Sequence, residues 1–240
     1  MKIESLNNSK VKNWAKLKIK KYRDEAGIFL VEGDHLVKEA LETDSVLELI
    51  STKEEEEIEG IPFYHVTDAI MKKLSSQVSR SNIIAVCKKR EEQEIMGTVC
   101  LLDNIQDPGN LGTIIRSAVA FGIGTLILGS DSVDLYNEKV IRSSEGMLFH
   151  LNILRMDATE AIKKLKENGY KIYGTDVRKG TNLKEIKFKE KSAIIIGNEG
   201  AGMKEELKAY CDDSIHIPIH CESLNASIAA SIIFYEVGEK

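Results

Sequence analysis

Three short stretches of the sequence bring together residue types that bind ligands and react. In the first, Asp103-Asn104-Ile105-Gln106-Asp107-Pro108-Gly109-Asn110-Leu111-Gly112-Thr113-Ile114-Ile115-Arg116, a strand ends at Asp103 and Asp-Pro-Gly makes a turn. Asn110 then stands where a helix N-cap would accept a backbone N–H. Leu111, Ile114, Ile115 and Ala118 form the buried stripe of that helix, leaving Thr113 and Arg116 on another face. Arg116 thus lies about two turns into a helix that begins at the carboxyl end of a strand, where open α/β sheets bind ligands. A capped helix with a solvated arginine would read the same way. No Gly-Lys-Ser/Thr follows the turn and no GxGxxG is present, so neither a phosphate loop nor a dinucleotide fingerprint is encoded.

The second stretch, Gly197-Asn198-Glu199-Gly200-Ala201-Gly202, follows the apolar run AIIIG and precedes a helical segment. Its glycines allow close backbone approach or positive φ, and a carboxylate held there can orient a hydroxyl or an amine. The alternative is a plain turn that tolerates Glu199. The third, Ile217-Pro218-Ile219-His220-Cys221-Glu222-Ser223-Leu224-Asn225-Ala226-Ser227, joins the last apolar strand to the last helix, with Ser223 or Asn225 as the natural cap. Small residues line one face of that helix, from Ala226 to Ser231, while Ile228, Ile232 and Tyr235 form a larger apolar stripe. Two usable faces suggest core packing on one and a subunit contact on the other.

The elements that must position these stretches alternate. TVCLLD (98–103), TLILG (125–129), YKIYGTD (170–176), AIIIG (193–197) and SIHIPI (214–219) are continuous apolar runs, the pattern of strands covered on both faces. Helical patterns fall between them at 110–121, near 137–145, at 157–168 with Asp157 as cap and Gly169 as stop, near 203–210 and at 224–238. This alternation predicts a mostly parallel sheet with helices on both sides. Upstream, a helix is expected from Ser5-Leu6-Asn7-Asn8 to Tyr22. The runs 27–33, 45–51, 62–67 and 82–88 read as strands, with helices near 34–42 and 68–74. The acidic run Glu54–Glu57 is expected at a solvated loop or helix edge. The charged stretch Lys88-Lys89-Arg90-Glu91-Glu92-Gln93-Glu94 lacks apolar periodicity and marks the boundary between a domain of residues 1–90 and one of 96–240.

A net charge of −5 argues against a protein that coats nucleic acid over its whole surface. Residues 1–23, however, carry Lys2, Lys10, Lys12, Lys16, Lys18, Lys20, Lys21 and Arg23 against Glu4 alone, a density suited to phosphates or to a solvated helix face. Cys87, Cys100, Cys211 and Cys221 form no CxxC pair and read as small buried hydrophobes in a reducing compartment. His216 and His220 would share a strand face, yet no third ligand accompanies them at a recognisable spacing, so no metal is assigned. The N-terminus has no apolar h-region and no run approaches a membrane span, which points to the cytoplasm.

In this order, DNIQDPGNLGTIIRSAVAFG, IIIGNEGAGM and IPIHCESLNASIAA closely resemble the three motifs of the SpoU (TrmH-like) branch of the SPOUT RNA methyltransferases. Arg142-Ser143-Ser144-Glu145-Gly146-Met147-Leu148-Phe149 resembles the family's stretch between the first two motifs. SLNNSKVKNWAKLKIKKYR and GIFLVEGDHLVKEAL are similar to its ribosomal-protein-like (L30e-like) substrate-binding domain. Where many members carry an acidic or glutamine-glycine loop, this chain has Ser75–Asn82. The resemblance implies an α/β fold whose C-terminal SPOUT-type parallel sheet holds a deep trefoil knot, a homodimer formed through that domain, and S-adenosylmethionine as cofactor. It places Gly174, Thr175, Gly197, Ile217, Leu224 and Asn225 at cofactor-binding positions, and Asn110, Arg116, Glu199, Ser223 and Asn225 at catalytic or RNA-facing ones.

The reaction so implied is methylation of a ribose 2′-hydroxyl in structured RNA, with large-subunit ribosomal RNA favoured over tRNA. The oxygen, the methyl carbon and the sulfur must be held in line, and a proton must be accepted. A guanidine with a pKa above about 12 is a poor free base. A protonated Arg116 that binds the adjacent phosphate and stabilises the developing alkoxide asks less of the protein. Asn110, Ser223 and Asn225 would then position the ribose, and Glu199 would orient Arg116 or the hydroxyl. The competing reading from another class is a non-catalytic RNA-binding or assembly protein on the same fold.

Overall fold

The computed structural model describes residues 1–53, 58–76 and 81–238. The acidic run Glu54–Glu57, and Gln77–Arg80 of the Ser75–Asn82 stretch, therefore lie outside the described residues. The chain forms two compact units, Met1–Glu91 with Tyr136–Phe149, and Glu92–Leu135 with His150–Lys240.

The first unit contains β1 (Lys2–Ile3), α1 (Ser9–Lys16), α2 (Lys20–Ala26), β2 (Ile28–Glu32), α3 (Asp34–Leu41), β3 (Val46–Ser51), β4 (Phe63–Val66), α4 (Asp68–Leu74) and β5 (Ile83–Lys88). Its sheet runs β1-β4-β3-β5-β2, with β5 antiparallel to both neighbours and the other pairs parallel. The single N-terminal helix expected from Asn8 to Tyr22 is two helices. Asn8 caps the first by accepting from Lys10 N, the chain breaks over Leu17–Ile19, and the second ends on Gly27 at φ 67°. Trp14 and Leu17, three residues apart and so on one face, enter a core with Ile50, Tyr64, Ile70 and Ile84.

The first unit also takes α6 (Glu138–Ser143) from the later segment Tyr136–Phe149. Phe29 lies 4.5 Å from the ring of Tyr136 and 6.1 Å from that of Phe149, and Arg90 Nη1 donates to the Phe149 carbonyl at 2.5 Å. A side chain at Gly146 would stand 2.7 Å from Glu39 Cβ, so the two backbones meet only because that residue is glycine. A boundary read linearly at the charged run cannot anticipate this, since the contacts that hold 136–149 join residues far apart in the sequence.

The second unit contains β6 (Val99–Leu102), α5 (Pro108–Ala120), β7 (Thr125–Gly129), β8 (Asn152–Met156), α7 (Ala158–Glu167), β9 (Lys171–Thr175), β10 (Thr181–Asn182), β11 (Ser192–Ile196), α8 (Glu205–Lys208), β12 (Asp213–His216) and α9 (Ala226–Gly238). The sheet order is β10-β12-β9-β11-β6-β7-β8, and every pairing in it is parallel. Every residue of β6, β7 and β11 is buried, as their unbroken apolar runs require. Asp157 caps α7, accepting from Thr159 N and Glu160 N at 2.8 and 3.1 Å.

Three expectations need correction. β8 was not foreseen, because Asn152 and Arg155 interrupt its apolar pattern. Asn152 is buried but satisfied, donating to the Glu94 carbonyl at 2.9 Å, and Arg155 reaches the carbonyls of Ser130 and Val133. β12 stops at His216 rather than 219, since Pro218 has no N–H to offer a ladder, so His216 and His220 do not share a strand face. Of the cysteines, Cys87 and Cys100 are buried, which pushes their thiols up, but Cys211 is half-buried and Cys221 exposed. Among the described residues no helix is long and apolar enough to cross a membrane.

Candidate active site

Parallel pairing places the three chemical stretches together. Ile196, the last residue of β11, stands opposite Leu102, the last of β6, so the loops after them leave the sheet side by side. β9 pairs with β11 and β12 with β9, which brings the segments after Thr175 and His216 to the same end. Ligands of open parallel sheets bind at that end.

The first stretch differs from expectation in its cap. Asp107, not Asn110, caps α5: its Oδ1 accepts from Asn110 N at 2.8 Å, with Pro108 in the first turn, where its missing N–H costs nothing. Asn110's side chain is thereby released for other work. Its Nδ2 donates to Glu199 Oε1 at 2.9 Å, and its Oδ1 accepts from Asn225 Nδ2 at 2.9 Å. Asn225 Oδ1 in turn accepts from Ser227 N at 2.9 Å and Ser227 Oγ at 2.6 Å, which makes Asn225 the cap of α9. The helix donors fix which end of Asn225 is oxygen. That choice orients the Asn110 amide, and its NH2 must then face Glu199.

Glu199 also accepts from Asp107 N at 3.3 Å, Gln106 N at 3.5 Å and Asn198 Nδ2 at 3.3 Å. Partial burial opposes its charge, but the hydrogen bonds from Asn110 and from backbone N–H groups together outweigh it and hold the carboxyl below its ordinary value. Glu199 is therefore an anion at neutral pH. Its partners are amides and backbone; among the described residues no ion pair joins it to Arg116, so that half of the expected role is not realised. Arg116 is exposed on α5 and has no side-chain partner among the described residues.

Asn198 is the residue whose importance was missed. Its Oδ1 accepts from Gly200 N and Ala201 N at 2.9 Å each, its Nδ2 donates to the Asn104 carbonyl at 2.8 Å, and its backbone pairs with Gly202. One side chain thus closes the glycine loop and ties it to the first loop. An asparagine two residues before the first glycine of Gly-x-Gly is an Asx-turn signal that could have found it. Gly197 is required by the same closure, because a Cβ there would lie 2.2 Å from Met203 N. Lys204 completes the tie: its N–H donates to the buried Asp103 carboxylate at 3.0 Å, and its Nζ pairs with Asp131 at 3.1 Å. Nothing in the sequence singles out Lys204.

Beside this cluster lies a cavity of about 340 Å³. Thr175, Gly197, Glu199, Ile217, Ser223 and Leu224 line it, together with Asp176, Ile215, Ile219 and Glu222, to which the sequence reading gave no binding role. Gly174 and Asn225 are not among its walls. A side chain at Gly174 would strike Met203 Cε at 2.6 Å and Cys211 Sγ at 2.7 Å, so that glycine serves packing toward α8. Asn225 is held away by its bonds to Asn110 and to the start of α9.

Replacing Glu199 by glutamine should destabilise the fold by about 1 kcal/mol at neutral pH, since an amide presents a donor to donors in a half-exposed place. A carboxyl whose pKa is lowered in the fold stabilises it above the unfolded pKa, and that contribution is lost as pH falls through the folded value. The gap in melting temperature between wild type and Glu199→Gln should accordingly narrow on acidification below about pH 4; a gap that widened would contradict the assignment.

Comparison with known proteins agrees with this architecture. A family model described as the SpoU rRNA Methylase family matches residues 97–235, and one described as an MRM3-like substrate binding domain matches residues 8–85. The chain is 38% identical to the 23S rRNA (guanosine(2553)-2'-O)-methyltransferase RlmP of Bacillus subtilis (strain 168), with 98% of each protein covered. Among solved structures, a putative RNA methyltransferase of the TrmH family from Porphyromonas gingivalis superposes with a TM-score of 0.88 at 30% identity, covering 97% of this chain and 98% of that one. The SpoU methyltransferase AviRb from Streptomyces viridochromogenes, solved in complex with the cofactor AdoMet, gives 0.84 at 27% identity over 96% and 97% of the two chains. With its family model matched across more than half its length and a full-length relative at this identity, the chain belongs to the SpoU rRNA methylase family.

Proposed function

We propose that the chain transfers the methyl group of S-adenosylmethionine to a ribose 2′-hydroxyl of large-subunit (23S-type) ribosomal RNA. The observation that carries this reading is the Glu199–Asn110–Asn225 chain of hydrogen bonds set beside a cavity of about 340 Å³, in a protein related end to end to a 23S rRNA 2′-O-methyltransferase. The cavity suits the cofactor: Ile215, Ile217, Ile219 and Leu224 offer apolar surface to an adenine ring, and Asp176 and Glu222 complement a ligand with two positive centres. Asp176 is kept ionised chiefly by the N–H of Arg178, at 2.8 Å, with help from that of Lys179. When bound there, S-adenosylmethionine supplies a methyl carbon made electrophilic by its sulfonium.

The protein's own residues then prepare the oxygen. Arg116, which has no side-chain partner among the described residues, binds the phosphate next to the target ribose, and its fixed charge lowers the cost of negative charge on the 2′-oxygen. Ser223 and the paired amides of Asn110 and Asn225 hold the ribose, and Glu199 orients the hydroxyl through Asn110. The hydroxyl proton becomes strongly acidic as its oxygen takes the methyl group and the S–C bond breaks, so even a carboxylate with a depressed pKa can receive it; Glu199 is the carboxylate of this cluster.

The remaining readings are structural. β12 lies between β9 and β10, two strands that precede it in the chain, and this insertion supports a deep trefoil knot. To the first unit, where residues 8–85 match a substrate binding domain, we assign an L30e-like fold and the RNA grip. Ile228, Ile232 and Tyr235 of α9 are 52%, 37% and 48% exposed at helical spacing, which supports a homodimer through this helix. The cytoplasm is the compartment in which such an enzyme would meet its RNA.

Arg116→Ala should lower methyl transfer to 23S rRNA roughly 10²–10³-fold while calorimetry shows unaltered S-adenosylmethionine binding. Undiminished turnover would remove Arg116 from the mechanism, and a wild-type chain that leaves every 2′-oxygen of ribosomal RNA and tRNA unmethylated would remove the reading itself. Light scattering should give twice the chain mass for wild type and a smaller mass for Ile232→Asp. Mechanical extension from the two termini should stop short of full contour length by the residues held in a tightened knot.

A further inference from the structure

The eight basic side chains of residues 1–23 do not form one available positive surface, because most are already engaged. Lys2 pairs with Glu4 at 2.7 Å, Lys10 with Glu48 at 2.5 Å, Lys20 with Asp24 at 2.8 Å and Lys21 with Glu25 at 3.8 Å. Lys18 Nζ donates to the carbonyls of Lys73 and Ser75 at 2.9 and 2.7 Å, and buried Arg23 donates to that of Leu17 at 2.8 Å. Lys12 and Lys16 are exposed and have no carboxylate partner among the described residues. Lys16 instead places its Nζ 5.7 Å from the Tyr22 ring centre.

That lysine stands at the edge of a depression of about 580 Å³, bounded by α1, α2 and β3, all within the first unit. Tyr22, Leu47, Pro62 and the edge of Trp14 give it an aromatic and apolar lining. Leu47 is 41% exposed and sits where the β3–β5 register shifts between Val46 and Glu48, a bulge that turns an apolar side chain outward. The acids around it are neutralised in place. Glu48 Oε1 takes Lys10, its Oε2 accepts from Trp14 Nε1 at 2.7 Å, and Glu25 has Lys21. What remains is a stacking floor with, on its rim, a cation that no carboxylate among the described residues neutralises, the composition that receives an unstacked base and its phosphate. An apolar protein partner would draw nothing from Lys12 and Lys16.

We propose that this depression is a second RNA-binding site, which takes an unpaired nucleotide of the substrate with its base against Tyr22 and Leu47 and its phosphate at Lys16. The inference rests on the RNA-methylating reading above and adds to it a place where the substrate-binding unit grips single-stranded RNA.

The test uses the full chain and a 23S rRNA fragment, with wild type, Tyr22→Ala, Tyr22→Phe and Lys16→Glu compared at one salt concentration. Tyr22→Ala and Lys16→Glu should raise KM roughly 5- to 50-fold with kcat little changed, and Tyr22→Phe, which keeps the ring, should behave as wild type. S-adenosylmethionine binding should be equal in all four, which separates lost grip from lost folding. RNA carrying 5-iodouridine should cross-link on irradiation to the peptide that contains Tyr22. Unchanged KM in both Tyr22→Ala and Lys16→Glu overturns the proposal, as does a change in oligomeric mass in place of a change in KM, which would make the depression a protein contact. If the wild type transfers no methyl group, the methylation reading fails on its own, and the affinities of the same four proteins for the fragment, measured by fluorescence anisotropy, still decide the fate of the depression.

Discussion

The structure of the second unit depends on one pairing, that of β11 with β6 in parallel and in a register that ends both strands together. Had Ile196 met Leu101 instead of Leu102, the two following loops would part by a residue and every side chain of β11 would face the other side of the sheet. With the register as it is, the Asp103 N–H reaches the Ile196 carbonyl at 2.9 Å and the ladder passes directly into the loops. Asn198, Lys204 and Glu199 extend it with side chains.

The same end of the sheet solves two problems with separate residues. Closure of the loops is assigned to groups that are fully engaged, Asn198 on backbone and Lys204 on Asp103 and Asp131. The proposed chemistry falls instead to Arg116, exposed and without a side-chain partner among the described residues, and to Glu199, charged and half-exposed. The transfer of the α5 cap from Asn110 to Asp107 is what makes the division work, because an asparagine spent on capping could not join Glu199 to Asn225.

Much of this was legible from residues alone. The buried strands announced themselves as unbroken apolar runs, and Asp157 with Gly169 framed α7 within a residue. The three motifs named Asn110, Glu199 and Asn225, which the fold brings into hydrogen-bond contact. Other features were not legible, for physical reasons. Asn152 and Arg155 hid β8 because their polar atoms are satisfied by partners distant in sequence. The packing of 136–149 with the first unit turns on Phe29, Tyr136 and Phe149, whose meeting no local pattern encodes. The basic N-terminal segment overstated its available charge, since its carboxylate partners Glu48, Asp24 and Glu25 lie beyond the stretch counted.

The amide chain from α9 to Glu199 has a fixed polarity, and that polarity gives the protein a chemical shelf life. Spontaneous hydrolysis of the Asn110 amide would turn the donor facing Glu199 into a second carboxylate with nothing to donate, and the two negative charges would push the first loop from the second. Asn225 is guarded differently, since a carboxylate there would still cap α9 but could no longer donate to Asn110. Neither residue precedes a glycine, the neighbour that most favours such hydrolysis. Gly200 and Gly202 stand instead beyond Glu199, where they close a loop without following either of these amides.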